Sequence, residues 1–482
     1  MKKTFITSLI LCAMGATSGS LSAQEYKTFD LSKYYTPDIV RSKLDFSGSG
    51  SGVANSSENA YSNNINDHYF NGSLNSSFSN IVNTRSLIRS LNASVLFSGN
   101  SGSSLDNANT NYESGVFSNN VGIGAFYQLY NTKKQFISFG GSGSFAFRTS
   151  KNTKTDSLAK YDFYKDNNFW GSIYINIGAG IGRIENVTDA QQTIYLLNAF
   201  AKNKILTKDL SENEIFQLAQ CISQVKNKRF LNARLHMIYE ISQVDSFFVK
   251  NNLISKQDAR YFTTLYDIWL YGDKFERRAG QKIELSLTPL FSKSYGYSKS
   301  HNYIPATIFS TSESFSNGGN ANYQLMLSYE YEKPFLQKWQ HSVYASLDGN
   351  YANYNGTTRN KPTDIYNSST SSTKHVNLNA EYTLGFYPDT RTNLYAKVNE
   401  ETSCLLSYSK TTNNITERSD KKNLSNLLAF ELGTYYYFSP QLRLTASATI
   451  QNRHYIEDIT NSSKASNQFN SNFSIGCTYS LF

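Results

Sequence analysis

The sequence predicts an all-β, transmembrane antiparallel barrel of about fourteen strands carrying one α-helical insert. Three observations predict it. The first is composition: of 482 residues, 31 are Phe, 35 Tyr and 3 Trp, so 14% are aromatic, yet only 39% are hydrophobic and 17% charged. Soluble domains carry about 25% charge, and disordered chains are poor in aromatics. An aromatic-rich, charge-poor chain with a mean hydropathy of −0.46 suits a wall with lipid on one face and water on the other. The second is period-two alternation, which sends successive side chains to opposite faces of a strand. The third is one long segment where that period gives way to helical spacing.

At the N-terminus, Lys2 and Lys3 precede an apolar run from Phe5 to Met14 and then Leu21-Ser22-Ala23-Gln24. Residues 1–23 therefore read as a secretory signal peptide cleaved after Ala23, because the apolar run is too short to anchor in a bilayer. Loss of Lys2 and Lys3 takes the formal charge from +9 to +7. That charge is spread without a basic cluster, so no nucleic-acid partner is expected. Cys221, Cys404 and Cys477 remain, an odd and scattered set that makes no disulfide framework. Residues 24–43 read as an N-terminal periplasmic segment.

Strands are expected over 44–184 and 279–482, about six before the insert and about eight after it. Ile173, Ile175, Ile177 and Ile181 alternate with Ser172, Tyr174, Asn176 and Gly180. Val376, Leu378, Ala380 and Tyr382 alternate with His375, Asn377, Asn379 and Glu381, and Leu442, Leu444 and Ile450 with Arg443, Thr445 and Gln451. Short connections fall near Asn83-Thr84, Asn131-Thr132, Lys333-Pro334, Pro388-Asp389 and Ser439-Pro440. The Asn/Ser/Thr-rich stretches Asn55 to Asp67 and Tyr354 to Lys374 read as long loops. Short periplasmic turns and long outer loops are the outer-membrane pattern. Pro289 falls inside a strand, an exception among prolines that ladders normally exclude.

Residues 185–278 read as an α-helical insert of about four amphipathic helices. Thr188 with Gln191, and Ser211 with Glu214, have capping-box spacing. Leu218, Ile222, Leu235, Ile238 and Trp269 are the expected core. Six crossings from a periplasmic N-terminus would leave this domain in the periplasm. Hinges are expected near Gly182 and Arg183, and from Arg278 to Gly280.

The alternating strands, Leu21-Ser22-Ala23-Gln24 and the terminal Ser474-Ile475-Gly476-Cys477-Thr478-Tyr479-Ser480-Leu481-Phe482 resemble Gram-negative outer-membrane β-barrel proteins, most of all those of Bacteroidetes. That resemblance implies residence in the cell outer membrane. It also implies the lipid bilayer and the barrel-insertion machinery as partners, with Tyr479 and Phe482 as the terminal insertion signal.

No Gly-x-Ser-x-Gly elbow in a strand-to-helix context and no His-x-x-x-His spacing appears, so no enzyme, metal or cofactor is expected. His68, His301, His375 and His454 all map near the extracellular rim, where a His/Asp or metal site would sit, but their spacing reads more simply as solvated loop residues. The inward parity set is more informative: Gln324, Glu330, Asp348, Glu381, Lys397, Glu431, Arg443 and Arg453 should line the lumen, where charges must pair or meet water. Tyr329, Tyr331 and Tyr435-Tyr436-Tyr437-Phe438 suit interfacial girdles. Tyr295, Tyr297, Tyr303 and Tyr351 suit either girdles or sugar stacking. The resulting reading is an outer-membrane channel or transporter with a polar, charged lumen and a periplasmic helical domain that anchors or gates it. The alternative is a non-conducting scaffold, assembly or surface-interaction protein. In either case the insert is a docking site for a periplasmic protein, a plug in the lumen, or a structural foot without a partner.

Overall fold

The computed structural model describes residues 29–59, 62–105, 110–155, 161–227, 233–304, 308–412, 416–459 and 462–479. The expected signal peptide and Phe482 lie outside them. Before the insert run β1 (Ile39–Asn59), β2 (Ser62–Asn83), β3 (Leu87–Leu105), β4 (Asn111–Tyr130), β5 (Gln135–Thr155) and β6 (Tyr161–Asn186). The insert holds α1 (Thr188–Lys202), α2 (Glu212–Asn227), α3 (Ala233–Lys250) and α4 (Ala259–Tyr271). After it come β7 (Arg278–Ile304), β8 (Ile308–Phe335), β9 (Trp339–Lys361), β10 (Ile365–Phe386), β11 (Thr392–Thr412), β12 (Thr416–Tyr437), β13 (Leu442–Ile459) and β14 (Ser462–Tyr479).

The strands form one antiparallel 14-stranded sheet in sequence order. Among the described residues β1 and β14 each pair with a single neighbour, so the sheet is open between them rather than closed as expected. Every ladder that forms joins consecutive strands, and all but β6–β7, which is bridged by the insert, have short connections that make pairing cheap in chain entropy; the missing one would join the first strand to the last. The sheet is nonetheless strongly curled. Arg183 on β6 donates to Asn83 Oδ1 at the end of β2, although strands four spacings apart lie about 19 Å from each other on a flat sheet.

Curling gives each parity set a face. The convex face carries exposed Ile137, Ile177, Leu285, Leu325 and Leu378. The concave face is polar: Ser98 meets Ser118 at 2.7 Å, Ser144 meets Ser172 at 2.7 Å and Ser447 meets Ser474 at 2.8 Å across adjacent strands. Ser138 on β5 donates to Glu284 on β7 at 2.6 Å, passing over Gly178 of the intervening β6. Pro289 stands in β7 opposite Tyr323, and the β6–β7 ladder is interrupted beside it, as a residue without an N–H requires.

The strands run from 18 to 28 residues, where about 9–11 suffice to cross a bilayer. The stretches expected as long loops are paired strand: Asn55 lies opposite Asp67, and Tyr354 opposite Ser371. In 354–374 Ser, Thr and Asn occupy both faces, so the ladder continues where alternation has stopped. On β10 exposed Val376, Leu378 and Tyr382 lie in the half nearer the insert, and beyond them only Ile365 and Tyr366 at the far turn are exposed large apolar residues. The turn expected at Lys333-Pro334 falls at 336–338 instead.

The five short turns joining β2–β3, β4–β5, β8–β9, β10–β11 and β12–β13 sit at the same end as the insert. The insert has its own core, including Leu218, Ile222 and Trp269 as expected, with Ile194, Val244, Phe248 and Leu265. Ile238 is 55% exposed, contrary to expectation. The buried stripe of α3 is Glu240, Val244 and Phe248, and two residues of helix place Ile238 about 200° from Glu240, on the opposite side. The Leu235 side chain lies outside those described. The N-terminal segment belongs to this core: Phe29, Leu31 and Tyr34 are buried in it, and Tyr34 Oη lies 2.8 Å from Ser223 Oγ. The 3-10 turn Leu31–Lys33 also touches β7 and β8, so the segment crosses beneath the sheet before β1 begins.

Candidate functional site

The end of the concave face covered by the insert is built around Arg277, which stands between the insert and β7 and is 1% exposed. Its backbone N–H donates to Thr188 Oγ1 at 2.9 Å. Its guanidinium donates to Gln340 Oε1 (2.8 Å), the Trp339 carbonyl (2.8 Å), the Gln337 carbonyl (2.9 Å) and Gln191 Oε1 (3.3 Å). The Tyr387 ring lies 4.4 Å beneath it. Burial pulls its pKa below the usual arginine value, and the neighbouring phenols only partly offset this. Thr188 and Gln191 are thus not a capping box, as their spacing suggested. They are two walls of an arginine cradle, while Asn186 Oδ1 accepts the Thr188 N–H at 2.9 Å.

From Gln340 the polar contacts continue along the concave wall. Gln340 Nε2 donates to Glu332 at 2.7 Å, and Glu332 is 3% exposed. Arg278 bridges Glu332 and Glu330, and Lys282 lies 3.7 Å from Glu330 and 3.6 Å from Glu284. Glu284 in turn accepts from Ser138. Charges this buried are tolerable because each finds an opposite charge or several donors.

At the root of the insert, Glu185 near the end of β6 pairs with Arg85 on the β2–β3 turn at 3.3 Å and with Arg183 at 3.1 Å. Other contacts fasten the insert itself to the rim. Asp267 on α4 pairs with Arg391 on the β10–β11 turn, and that guanidinium lies 4.0 Å over the Tyr271 ring. Phe275 packs against Tyr387 and Tyr437 at 6.0 and 5.7 Å. Where hinges were expected, Gly182 and Gly280 hold positive φ values of 99° and 125°. The turn at Gly182 buries Arg183 at 7% exposure, although Ile181 two residues earlier is 50% exposed and would share its face in a regular strand.

The expected lumen residues fall on the concave face. Glu330 joins the buried network. Glu381 pairs with Lys397 at 2.6 Å, each 32% exposed. Glu431 accepts from Tyr395 at 2.6 Å, and Asp348 from Asn377 at 3.4 Å. Arg443 lies over the Tyr435 ring at 5.6 Å with no hydrogen bond to its Nε. Arg453 and His375 line a cleft of about 470 Å³ with Asn322, Asn350 and Tyr455. The rim histidines do not converge: His301 bonds Thr311 and His454 bonds Asn467, each within its own strand pair. Among the described residues no group of three or more His, Cys, Asp or Glu is placed to hold a metal ion. Sequence reasoning missed Arg277, Glu332 and Gln340, and gave Gln191 a local role it does not have. The only signal was the Arg277-Arg278 pair at the exit of the insert.

No family model and no curated protein matches the chain. Among solved structures, it is similar to the transport unit of the autotransporter AIDA-I from Escherichia coli, at 10% identity over 83% of this chain and 91% of that one, TM-score 0.23. It is also similar to the P. putida toluene transporter TodX, at 9% identity over 92% and 88%, TM-score 0.25. The translocator domain of NalP from Neisseria meningitidis matches at 10% identity over 83% and 90%, TM-score 0.22. Superpositions this partial define no family; the strand ladders alone carry the architecture.

Proposed function

We propose that the chain is a Gram-negative outer-membrane β-barrel whose polar concave face serves the passage of polar solutes, and whose helical insert holds the periplasmic end shut. The observation that carries this reading is the Arg277 cradle. One buried guanidinium ties α1 of the insert to the β8–β9 turn and to β9, above a wall of paired charges. A domain that merely hung from the barrel would not need four contacts to a buried cation at the mouth. Outer-membrane residence is supported by the convex apolar band and the polar strand extensions beyond it.

Planar-bilayer recording tests it. Asn186 and Arg278 are cross-strand partners, so a short turn can replace residues 187–277 without disturbing the ladder. Low conductance in the full chain and a large rise in the deletion support a shut pore. No conductance in either sinks the channel reading. A second reading, a non-conducting scaffold, is favoured by exposed Ile238, Val249, Phe262 and Tyr266 on the insert, which would serve as its docking residues.

A further inference from the structure

At the end of the concave face away from the insert, a second cleft of about 540 Å³ opens across β2–β7. The ladders place Tyr69, Gly102, Ser114, Asn152, Tyr164 and Ser300 in one row across six successive strands. The adjoining row is Ser104, Tyr112, Lys154 and Asp162. Three tyrosines therefore stand on alternate strands β2, β4 and β6, facing inward and 50%, 41% and 42% exposed. An otherwise Ser- and Asn-lined wall has no packing use for half-exposed rings. Gly102 makes room for one of them: a β-carbon there would lie 2.7 Å from the Tyr69 ring. The Lys154 ammonium sits 5.4 Å from the centre of the Tyr112 ring.

We propose that this cleft binds a neutral oligosaccharide. A pyranose offers an apolar C–H face to an aromatic ring and a fringe of hydroxyls that both donate and accept. The cleft supplies both partners: tyrosine faces, with Asn152, Ser114 and Ser300 hydroxyl or amide groups beside them. Aromatic rings beside a lysine also suit single-stranded nucleic acid, but charge decides against it. Lys154 is the one cation in the lining and stands directly across from Asp162, so the cleft offers no net positive charge to hold a polyanion. The tyrosines that looked fit for sugars in the sequence, Tyr295, Tyr297 and Tyr351, have the convex parity; Tyr295 and Tyr351 are 49% and 41% exposed.

The full chain, refolded in a detergent without sugar headgroups, is titrated with maltohexaose and with cellohexaose by calorimetry and saturation-transfer NMR. Binding of either is expected, with Tyr69→Ala and Tyr164→Ala each weakening it several-fold, up to about tenfold. Gly102→Val, which displaces the Tyr69 ring while keeping every tyrosine, should weaken it as well. Tyr295→Ala on the convex face should leave it unchanged. Heat-modifiable gel mobility confirms that each variant has folded. Absence of binding by both sugars, affinity unchanged in Tyr69→Ala and Tyr164→Ala, or an equal loss in Tyr295→Ala overturns the proposal. Binding is read without conductance and away from Arg277, so failure of the channel reading leaves this result standing on its own.

Discussion

Gly182 and Gly280 face each other diagonally across β6 and β7, each pressed against the other strand's backbone. A β-carbon on Gly182 would stand 2.0 Å from the Gln281 carbonyl oxygen, and one on Gly280 would stand 2.1 Å from that of Arg183. Both residues also hold positive φ. An L-residue there pays about 1–2 kcal/mol for the backbone conformation alone, before the overlap is relieved. Gly182→Ala and Gly280→Ala should therefore each lower the temperature at which folded gel mobility is lost. Gly349, whose β-carbon would meet nothing within 4 Å, is the control and should tolerate alanine.

Arg277 makes its contacts through a planar fork of donors, so lysine cannot replace it. Each charge-assisted hydrogen bond lost costs on the order of 1.5–3 kcal/mol. Arg277→Lys should behave like Arg277→Ala, loosening the insert while the strands stay folded. Limited proteolysis should then cleave within the insert faster than in the unsubstituted chain, with heat-modifiability retained. Equal protease resistance in both variants would show that the cradle does not hold the domain.

Glu381 and Lys397 neutralise each other on the concave wall at 2.6 Å. Removing either charge leaves the other facing water, and a fixed charge beside a pore biases which ions enter. Glu381→Gln should shift the reversal potential of an open variant toward anions, and Lys397→Met toward cations. Glu431 is a different case, because its carboxylate is held by the Tyr395 hydroxyl rather than by a cation. Glu431→Gln should move the potential toward anions without exposing a positive partner. A reversal potential indifferent to all three would mean that ions do not pass this wall.

The start of α2 carries a local acid sensitivity. Lys208 and the backbone and hydroxyl of Ser211 hold the Glu214 carboxyl down from 4.5 to about 2. Because the folded value is depressed, the contribution is fully present above the unfolded value and is lost as pH falls toward about 2. Ser211 N–H donates to Glu214 at 2.8 Å, so protonation weakens a true capping box. The protection factors of the first-turn amides of α2, which are corrected for the intrinsic exchange rate at each pH, should fall between pH 5 and pH 2 more than those of α4. In Glu214→Gln, which has no charge to lose, this extra fall should vanish.

Strands, helices and faces were legible in the sequence where one period dominates. Alternation at Ile173–Ile181 and Leu442–Ile450 marks strands because one face meets water and the other does not. The helical spacing of Ile215, Leu218, Ala219, Ile222 and Val225 marks α2, all five of which are buried. The length of the strands was not legible, because a ladder such as Tyr354–Ser371, with Ser, Thr and Asn on both faces, looks like a loop. The cradle was not legible either. Thr188 and Gln191 carry the spacing of a local cap, and nothing local says that their partner is an arginine 89 and 86 residues away. Ile238 misled for the opposite reason: it keeps the helical spacing of its neighbours, but Glu240 occupies the buried side to bind the Trp269 indole N–H at 2.8 Å.

The side of the membrane on which the insert lies follows, in the proposed function, from an even number of crossings between a periplasmic N-terminus and residue 187. The structure supplies the tool to test it. Lys208 is exposed in the connection between α1 and α2, and its ion pair with Glu214 is solvent-accessible, so Lys208→Cys should fold normally. Cys477 is exposed on the outermost strand, while Cys221 and Cys404 are half-buried; the substitution is therefore made in a Cys477→Ser background. A membrane-impermeant maleimide applied to intact cells should leave Lys208→Cys unlabelled, and should label it once the outer membrane is permeabilised. A second cysteine at exposed Lys361, on the turn side of β9 away from the insert, should show the reverse, reacting on intact cells. Labelling of Lys208→Cys on intact cells would invert the topology: the closed end of the concave face would then point outward, and the tyrosine cleft would open to the periplasm.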